Sequence, residues 1–432
     1  TVAGDGLKAA AFEISAVSVL GLAISFLLGL SGFETMIFVL ATALSSTLVG
    51  LDLLEKEIDL KLAHGRIAES LHLSQDLIAV IFLMVLGASS FTVPAISESL
   101  IHGFGVLMLA LLFRRYIIDH VARLTENSRE LLMLVSLTVL IGFLSLTEYF
   151  HISIAIGSFA AGFAVSKYPH NMEILDTTGS LKDFFSAIFF VSLGALLTVP
   201  TVEVLFVSAG MLLMTLIAKP FAVIAALVGF GQNKRTAYLT GFSIDQVSEF
   251  ALIITIQAYL SNLIGSTVFQ AVIITATVSM IISSYTTKHG DRIYDLFSRF
   301  DHLNPFPQKV SEDVSKHDLE NHVILLGYDT QGKTVAEKLK EENKEFLIID
   351  NDPEKIADLD EKEENFVYGD VFEHETWEKA DFQDAQLIIS TVPLERVSMI
   401  VLDLETDADI ILRSENVEEA KKLLKEGAIY VN

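Results

Sequence analysis

The chain has 432 residues, of which 51% are hydrophobic, and its formal net charge at pH 7 is −25. The negative charge argues against nucleic acid as a partner, because phosphate backbones bind basic surfaces. The sequence contains no cysteine, which excludes a disulfide framework and a thiolate metal site. The chain begins with Thr1 and ends directly after a strand-like stretch, so we expect it to be a fragment at both ends.

Apolar residues gather into long segments within residues 1–290 and predict a membrane domain. A buried helix of a soluble protein keeps a polar face, whereas these segments are apolar all round. Lys and Arg lie in every second connection, which places those connections and the C-terminal region in the cytoplasm. We therefore expect a multi-pass protein of the cytoplasmic membrane, with ten spans at residues 7–29, 33–53, 66–87, 98–118, 130–148, 152–167, 183–199, 202–230, 236–260 and 265–286.

Asp76 is a lone carboxylate inside the apolar stretch from Leu73 to Leu83. An ionised carboxylate at bilayer depth is costly unless a cation, a proton or a buried partner compensates it, so such residues mark ion pathways. Lys219 lies far from the span ends, and we expect it to pair with Asp76. The alternative is that the Lys219 side chain extends to the cytoplasmic surface.

Two spans have polar centres, which predicts that their helices are interrupted. The second span contains Ser45, Ser46 and Thr47, and the ninth contains a polar run that includes Gln246 and Glu249. Interrupted helices expose backbone carbonyls and half-helix ends to a central ion. A single polar segment would instead indicate hydroxyl groups that hold helices together. Each segment is the middle of three consecutive spans, which indicates an inverted repeat.

Strands and helices alternate after about residue 290, which predicts a second, soluble domain. We assign residues 1–290 to the membrane domain, 291–321 to a linker and 322–432 to a Rossmann-like α/β domain with a parallel sheet. The region from Asp301 onward carries 33 acidic and 14 basic residues. Its acidic surface indicates either adaptation to a salty cytoplasm or simply a well-solvated domain.

A glycine-rich turn from Gly327 to Gly332 follows the first predicted strand of the soluble domain and matches a dinucleotide fingerprint imperfectly. Asp329 stands where the pattern has its middle glycine, and a carboxylate there repels a pyrophosphate. The predicted ligand is NAD(H) or an adenine nucleotide; the alternative is a domain that serves dimerisation and binds nothing. The candidate residues share the carboxyl edge of the sheet and are Gly327, Asp329, Thr330, Gln331, Gly332, Asp350, Asn351, Gly369, Asp370 and Thr391.

Four motifs occur together in this chain: Ser45-Ser46-Thr47, Gln75-Asp76, the run from Phe189 to Gly194, and Glu249-Phe250-Ala251. They resemble the Kef-type branch of the monovalent cation:proton antiporters, and the soluble region resembles the TrkA-N or RCK regulatory domain fused to many of them. The resemblance implies the sodium/proton antiporter fold, with two broken helices crossing beside Asp76, and about three further N-terminal spans. Family members often have glycines where this chain has Val247 and Ser248.

The expected activity is exchange of a monovalent cation, K⁺ or Na⁺, for protons, because Asp76 can hold either species. Oxygens of Gln75, Ser46, Thr47 and Gln246 would replace the water of hydration, while Glu249 either joins them or caps the broken helix. We expect a homodimer, no metal other than the transported cation, and no enzymatic activity, because no catalytic domain accompanies the nucleotide fold. The alternative function is a nucleotide-gated potassium efflux channel, although the sequence lacks a potassium selectivity filter.

Overall fold

The computed structural model describes residues 2–47, 49–50, 62–88, 90–120, 129–167, 170–298, 319, 321–362, 364–372, 374–414 and 416–431. Most of the predicted linker lies outside these residues, as do the basic residues Lys56, Lys61 and Arg123 of the predicted cytoplasmic connections.

Helices make up the membrane domain. They are α1 (Val2–Leu27), α2 (Gly32–Ala43), α3 (Ala63–Leu86), α4 (Val93–Leu112), α5 (Arg129–Tyr149), α6 (Ile154–Val165), α7 (His170–Ala195), α8 (Val202–Leu213), α9 (Lys219–Gly229), α10 (Lys234–Phe242), α11 (Glu249–Leu260), α12 (Ser266–Lys288) and α13 (Gly290–Ser298). Short π-helical turns continue α4 at Phe113–Ile117 and join α8 to α9 at Met214–Ala218. Within the described residues, each of the predicted spans overlaps one or two of these helices.

Length and apolarity distinguish two kinds of membrane helix. Within the described residues, six helical segments are long and apolar enough to cross a bilayer: Gly4–Leu27, Ala63–Leu86, Val93–His120, Glu130–Tyr149, Val202–Gly229 and Ser266–Lys288. Three apolar helices, α2, α6 and α11, are shorter. Two of these short helices, α2 and α11, belong to the spans in which the sequence predicts interruptions.

Both predicted interruptions are present. Helix α2 ends at Ala43, Leu44 has an extended backbone, and helix resumes at Thr47. Helix α10 ends at Phe242, and α11 begins only at Glu249. Serines suit such positions because their hydroxyls bond to free backbone groups at helix ends, which apolar side chains cannot do.

The soluble domain is a doubly wound sheet. Its strands are β1 (Val323–Leu326), β2 (Phe346–Asp350), β3 (Phe366–Tyr368), β4 (Leu387–Ser390), β5 (Asp409–Leu412) and β6 (Tyr430–Val431), and its helices are α14 (Thr330–Glu341), α15 (Pro353–Glu361), α16 (His374–Lys379), α17 (Glu395–Leu402) and α18 (Val417–Glu426). The strands are parallel and lie in the order β3-β2-β1-β4-β5-β6. This is the Rossmann order, so the predicted fold class is confirmed.

Glycine is required where α14 packs on β1. A Cβ atom at Gly332 would lie 2.0 Å from the carbonyl oxygen of Gly327, so no other residue fits there without moving the helix. Gly327 itself has a φ of +85°, a left-handed conformation that favours glycine. The two glycines therefore set the close approach of helix and strand that opens a cleft at the sheet edge.

Candidate ion and nucleotide sites

The two interrupted helices meet at the centre of the membrane domain. The Ser45 hydroxyl donates to the carbonyl oxygen of Ile244 at 3.0 Å. The backbone N–H of Ser248 donates to the carbonyl oxygen of Leu44 at 3.1 Å. Backbone groups that neither helix can satisfy internally are therefore satisfied across the crossing, which fixes the two segments against each other.

Lys219 is fully buried and contacts backbone carbonyls at this crossing. Its Nζ donates to the carbonyl oxygen of Gln246 at 2.7 Å and lies 3.4 Å from that of Leu44. Carbonyls at the end of a helix carry partial negative charge, which attracts a cation. Leu44 is the C-cap of α2, and Gln246 lies in the non-helical segment between α10 and α11, so the ammonium of Lys219 compensates carbonyls of both interruptions.

The predicted pair between Lys219 and Asp76 is wrong. Among the described residues, the carboxylates that interact electrostatically with the Lys219 ammonium are those of Glu13 and Asp245. The sequence could not show this, because the carbonyls that attract the ammonium become available only when the helices are interrupted and crossed. The hydrogen bonds of the Lys219 ammonium go to backbone carbonyls, and the carboxylate of Asp76 bonds to Thr47 instead.

Asp76 has one oxygen bonded and one oxygen without a partner. Its Oδ2 accepts a hydrogen bond from the Thr47 hydroxyl at 2.8 Å. Its Oδ1 is buried and has no hydrogen-bond partner among the residues that the structure describes. The carboxylate of Glu249 accepts from the Ser46 hydroxyl and interacts electrostatically with Asp76. Two carboxylates and two hydroxyls therefore lie together, a set of hard oxygen donors suited to a monovalent cation.

The amide of Gln75 is bonded entirely within the protein. Its Oε1 accepts from the backbone N–H of Ser45 at 2.9 Å, and its Nε2 donates to Glu13 Oε2 at 2.9 Å and to the carbonyl oxygen of Ala43 at 3.1 Å. The amide therefore joins α3 to the end of α2 and to α1. Gln75 therefore stabilises the interruption, and its expected role as a cation ligand stays a prediction.

Gln246 has the same kind of role in the other interrupted span. Its Nε2 donates to the carbonyl oxygen of Ser46 at 3.0 Å, and its Oε1 accepts from the Ser283 hydroxyl at 2.8 Å. This side chain was also expected to bind the cation, but both of its polar atoms are bonded to protein. The helix cap of α11 is Ser248, whose hydroxyl accepts from the N–H of Phe250 at 3.1 Å, so Glu249 does not serve as the cap.

Sequence reasoning missed Glu13 and Asp245, two further buried carboxylates near the crossing. Glu13 lies in the middle of α1, and its Oε1 has no hydrogen-bond partner within the described part of the chain. Asp245 accepts from the Thr286 hydroxyl at 2.7 Å. The criterion that singled out Asp76, an acidic residue inside an apolar span, applies equally to Glu13 and would have found it.

A cleft lies at the carboxyl edge of the soluble sheet. It brings together most of the predicted nucleotide-binding residues: Gly327, Asp329, Asp350, Asn351, Gly369, Asp370 and Thr391. Thr330, Gln331 and Gly332 do not line it and lie in the first turn of α14. The cleft therefore lies where Rossmann domains bind nucleotides, at the carboxyl ends of the strands.

Asp329 occupies the N-terminus of α14. Its Oδ1 accepts from the backbone N–H groups of Gln331 and Gly332 at 3.0 Å and 3.1 Å. In dinucleotide-binding domains these N–H groups bind the pyrophosphate. Asp329 therefore caps the helix with the same N–H groups that would otherwise be free to bind a phosphate.

Two other predicted carboxylates are also bonded within the protein. Asp350 accepts from the N–H of Tyr328 at 2.7 Å and pairs with Lys355 at 2.9 Å. Asp370 pairs with Arg235 of α10 at 2.8 Å, and both side chains are buried. Asp370 therefore connects the soluble domain to the membrane domain, a role that its position in the sequence did not indicate.

Asp352 is a further carboxylate of the cleft that sequence reasoning missed. Burial and the neighbouring Asp350 raise the pKa of Asp352, while Lys355 and Arg66 oppose that rise. Arg66 comes from α3 of the membrane domain, and Leu62 and Ala63 line the same cleft.

Comparison with known proteins identifies the family. The model of the transmembrane sodium/hydrogen exchanger matches residues 7–289. This chain belongs to the sodium/hydrogen exchanger family. The TrkA-N domain model matches residues 323–432, so the predicted combination of antiporter and TrkA-N domains is confirmed, as is a multi-pass membrane protein with a cytoplasmic C-terminal domain.

Curated relatives have the same two-part layout. The chain is 25% identical to the Escherichia coli K12 protein named "Putative cation/proton antiporter YbaL", over 96% of this chain and 78% of the relative. It is 26% identical to the glutathione-regulated potassium-efflux system protein KefC of Enterobacter sp. strain 638, over 93% of this chain and 65% of the relative. The crystal structure of the TrkA-N domain of E. coli inner membrane protein YbaL aligns with 27% of this chain and 89% of its own, at 26% identity and a TM-score of 0.26.

Proposed function

We propose that this protein exchanges a monovalent cation for protons across the cytoplasmic membrane and that Asp76 is the group that both species occupy in turn. The observation that carries the proposal is the unpartnered Oδ1 of Asp76, buried beside two interrupted helices. A buried carboxylate oxygen needs either a proton or a cation to offset its lost hydration. Because one atom serves both, the two species exclude each other.

We further propose a specific ligand set for the cation. Asp76 and Glu249 supply carboxylate oxygens, and Thr47 and Ser46, whose hydroxyls contact them, supply neutral oxygens. Gln75 and Gln246 hold the interrupted helices in place and do not belong to the set. This division rests on the partners of each group, because the two hydroxyls bond to the two carboxylates, whereas the two amides join separate segments of the chain.

Exchange then requires the site to open alternately to each side. Hydrogen bonds join the two interrupted segments directly, so we expect them to move together as one unit when access to the site changes sides. A loaded site, with either the cation or the proton, has its charge compensated, whereas an empty ionised site does not. Movement of the loaded site therefore couples the two fluxes.

We also propose identities for the transported cation and for the regulatory ligand. KefC is named as a potassium-efflux protein, and on this basis we propose K⁺ as the first cation to test, with Na⁺ as its competitor. We propose that the cleft of the TrkA-N domain binds NAD(H) or an adenine nucleotide and regulates exchange. The homodimer expected from the sequence stays a prediction, which size-exclusion chromatography with light scattering would test.

The test is transport by the full-length protein in proteoliposomes that contain a pH-sensitive dye. We expect an outward K⁺ or Na⁺ gradient to drive proton movement with the wild-type protein and with Asp183→Asn, which removes an exposed carboxylate of α7. Asp76→Asn keeps the size of the side chain but removes its charge, and we expect it to abolish the signal. Exchange by Asp76→Asn at the wild-type rate would overturn the proposal.

A further inference from the structure

The cleft of the soluble domain is closed on one side by the membrane domain. Leu62, Ala63 and Arg66 line it together with the ends of the strands. Leu62 also packs against the hydrophobic core of the soluble domain. A ligand in this cleft is therefore in contact with both domains at once.

The charges in the cleft determine where an anionic ligand can bind. Asp329 occupies the helix N-terminus that would ordinarily hold a phosphate, and Lys355 pairs with Asp350 at 2.9 Å. Arg66 is the other basic residue among the described lining residues. It lies on the membrane-domain wall, near enough to Asp352 to interact with it electrostatically. A guanidinium is a good partner for phosphate because it donates several hydrogen bonds in one plane.

We infer that the nucleotide site is shared between the two domains, with Arg66 of the membrane domain binding the ligand's phosphate. This inference deepens the proposed function and rests on it for its consequence, the control of exchange. The helix that begins at Ala63 runs without interruption to Leu86 and carries Gln75 and Asp76. A ligand held between the strand ends and Arg66 therefore fixes the cytoplasmic end of the helix that carries the ion site.

A second contact between the two domains involves α10, the helix that leads to the second interruption. Arg235 lies in the first turn of α10 and pairs with Asp370 at 2.8 Å. Its guanidinium lies 4.3 Å from the ring centroid of Phe372, and that of Arg396 lies 4.9 Å from the same centroid. The soluble domain thus contacts α3, which carries Asp76, and α10, which leads to the second interruption, so a shared ligand adds to an interface that already exists.

The test compares a phosphate-bearing ligand with a phosphate-free one on the full-length protein in detergent. ADP and adenosine differ only in the phosphates, so isothermal titration of both reports the phosphate contact separately. For Arg66→Gln we expect the Kd for ADP to rise roughly tenfold to a hundredfold, since a charged hydrogen bond is lost, while the Kd for adenosine stays within about twofold. Arg66→Lys keeps the charge and should recover part of the ADP affinity.

Lys288→Gln is the matched control, because it removes one exposed positive charge from the same side of the membrane domain at a residue that does not line the cleft. We expect it to bind both ligands as the wild type does. Equal losses for ADP and adenosine in Arg66→Gln would assign Arg66 a structural role and overturn the inference. Unchanged ADP binding in Arg66→Gln, or no ADP binding by the wild type, would also overturn it.

Transport gives a second readout in the same preparation. We expect ADP to change the exchange rate of wild-type proteoliposomes and of Lys288→Gln, and to leave the rate of Arg66→Gln at its ADP-free value. An equal ADP effect on Arg66→Gln would contradict the inference. Binding is measured without transport, so a failure of the shared site remains distinguishable from a failure of the exchange proposal, which the Asp76 variant tests.

Discussion

Replacement of Lys219 tests the assignment of this residue to the interrupted helices. Lys219→Met removes the ammonium but keeps a long side chain of similar shape in a fully buried position. The contact to the carbonyl of Gln246, at 2.7 Å, has full strength, and the contact to Leu44, at 3.4 Å, is at the limit of a hydrogen bond. A hydrogen bond to a charged group contributes about 1.5–3 kcal/mol. We expect the variant to lose about 2–4 kcal/mol of stability.

The partner of Lys219 can be identified by double-mutant cycles. The account predicts coupling between Lys219→Met and Glu13→Gln, because the Glu13 carboxylate interacts with the ammonium and is left without it in the single variant. The interaction energy should be about 1–2 kcal/mol, with the second change recovering stability. For Lys219→Met combined with Asp76→Asn, the interaction energy should stay below about 0.5 kcal/mol.

Thermal and denaturant-induced unfolding in detergent, followed by circular dichroism, measures these differences for all six proteins of the two cycles and for Lys288→Met, an exposed control. The control should change stability by less than about 0.5 kcal/mol. The reasoning would be refuted by strong coupling of Lys219 to Asp76 together with none to Glu13, because Lys219 would then be the counter-charge of the ion site.

Two further predictions concern single residues of each domain. Glu249→Gln keeps an acceptor for the Ser46 hydroxyl but removes a negative charge from the ligand set. The KM for the cation in proteoliposomes should therefore rise about tenfold or more, while thermal stability changes little. An unchanged KM would show that Glu249 does not bind the cation. Gly332→Ala places a methyl group against the carbonyl oxygen of Gly327 and should destabilise the soluble domain by about 3 kcal/mol in denaturant unfolding. Thr334 is exposed on the same helix, and Thr334→Ala should leave stability unchanged. Equal stability of the two variants would contradict the packing argument.

Periodicity and polarity in the sequence were enough to predict the architecture. Apolar runs locate the membrane helices because lipid requires apolar surfaces all round a helix. The serines near Ser45 and Ser248 indicate the interruptions because their hydroxyls satisfy free helix ends. The strand order of the soluble domain follows from its alternation of strands and helices and from the glycine-rich turn after β1.

The roles of individual polar residues were not predictable, because they depend on contacts between distant segments. Gln75 and Gln246 look like cation ligands in the sequence, yet both amides are used to hold the interruptions. Lys219 looks like the partner of Asp76 until the crossing supplies carbonyls for it. Arg66 precedes the ion site by ten residues and has no visible relation to the cleft, which only the docking of the two domains creates.

Cation-induced proton release tests the central claim most directly. Purified protein in weakly buffered detergent solution, below saturation of the cation site, is titrated with K⁺ or Na⁺ while a pH indicator records the protons set free. If Asp76 holds either species in turn, the wild-type protein releases protons as the cation binds and Asp76→Asn releases none. Equal proton release by the wild type and Asp76→Asn would contradict the account.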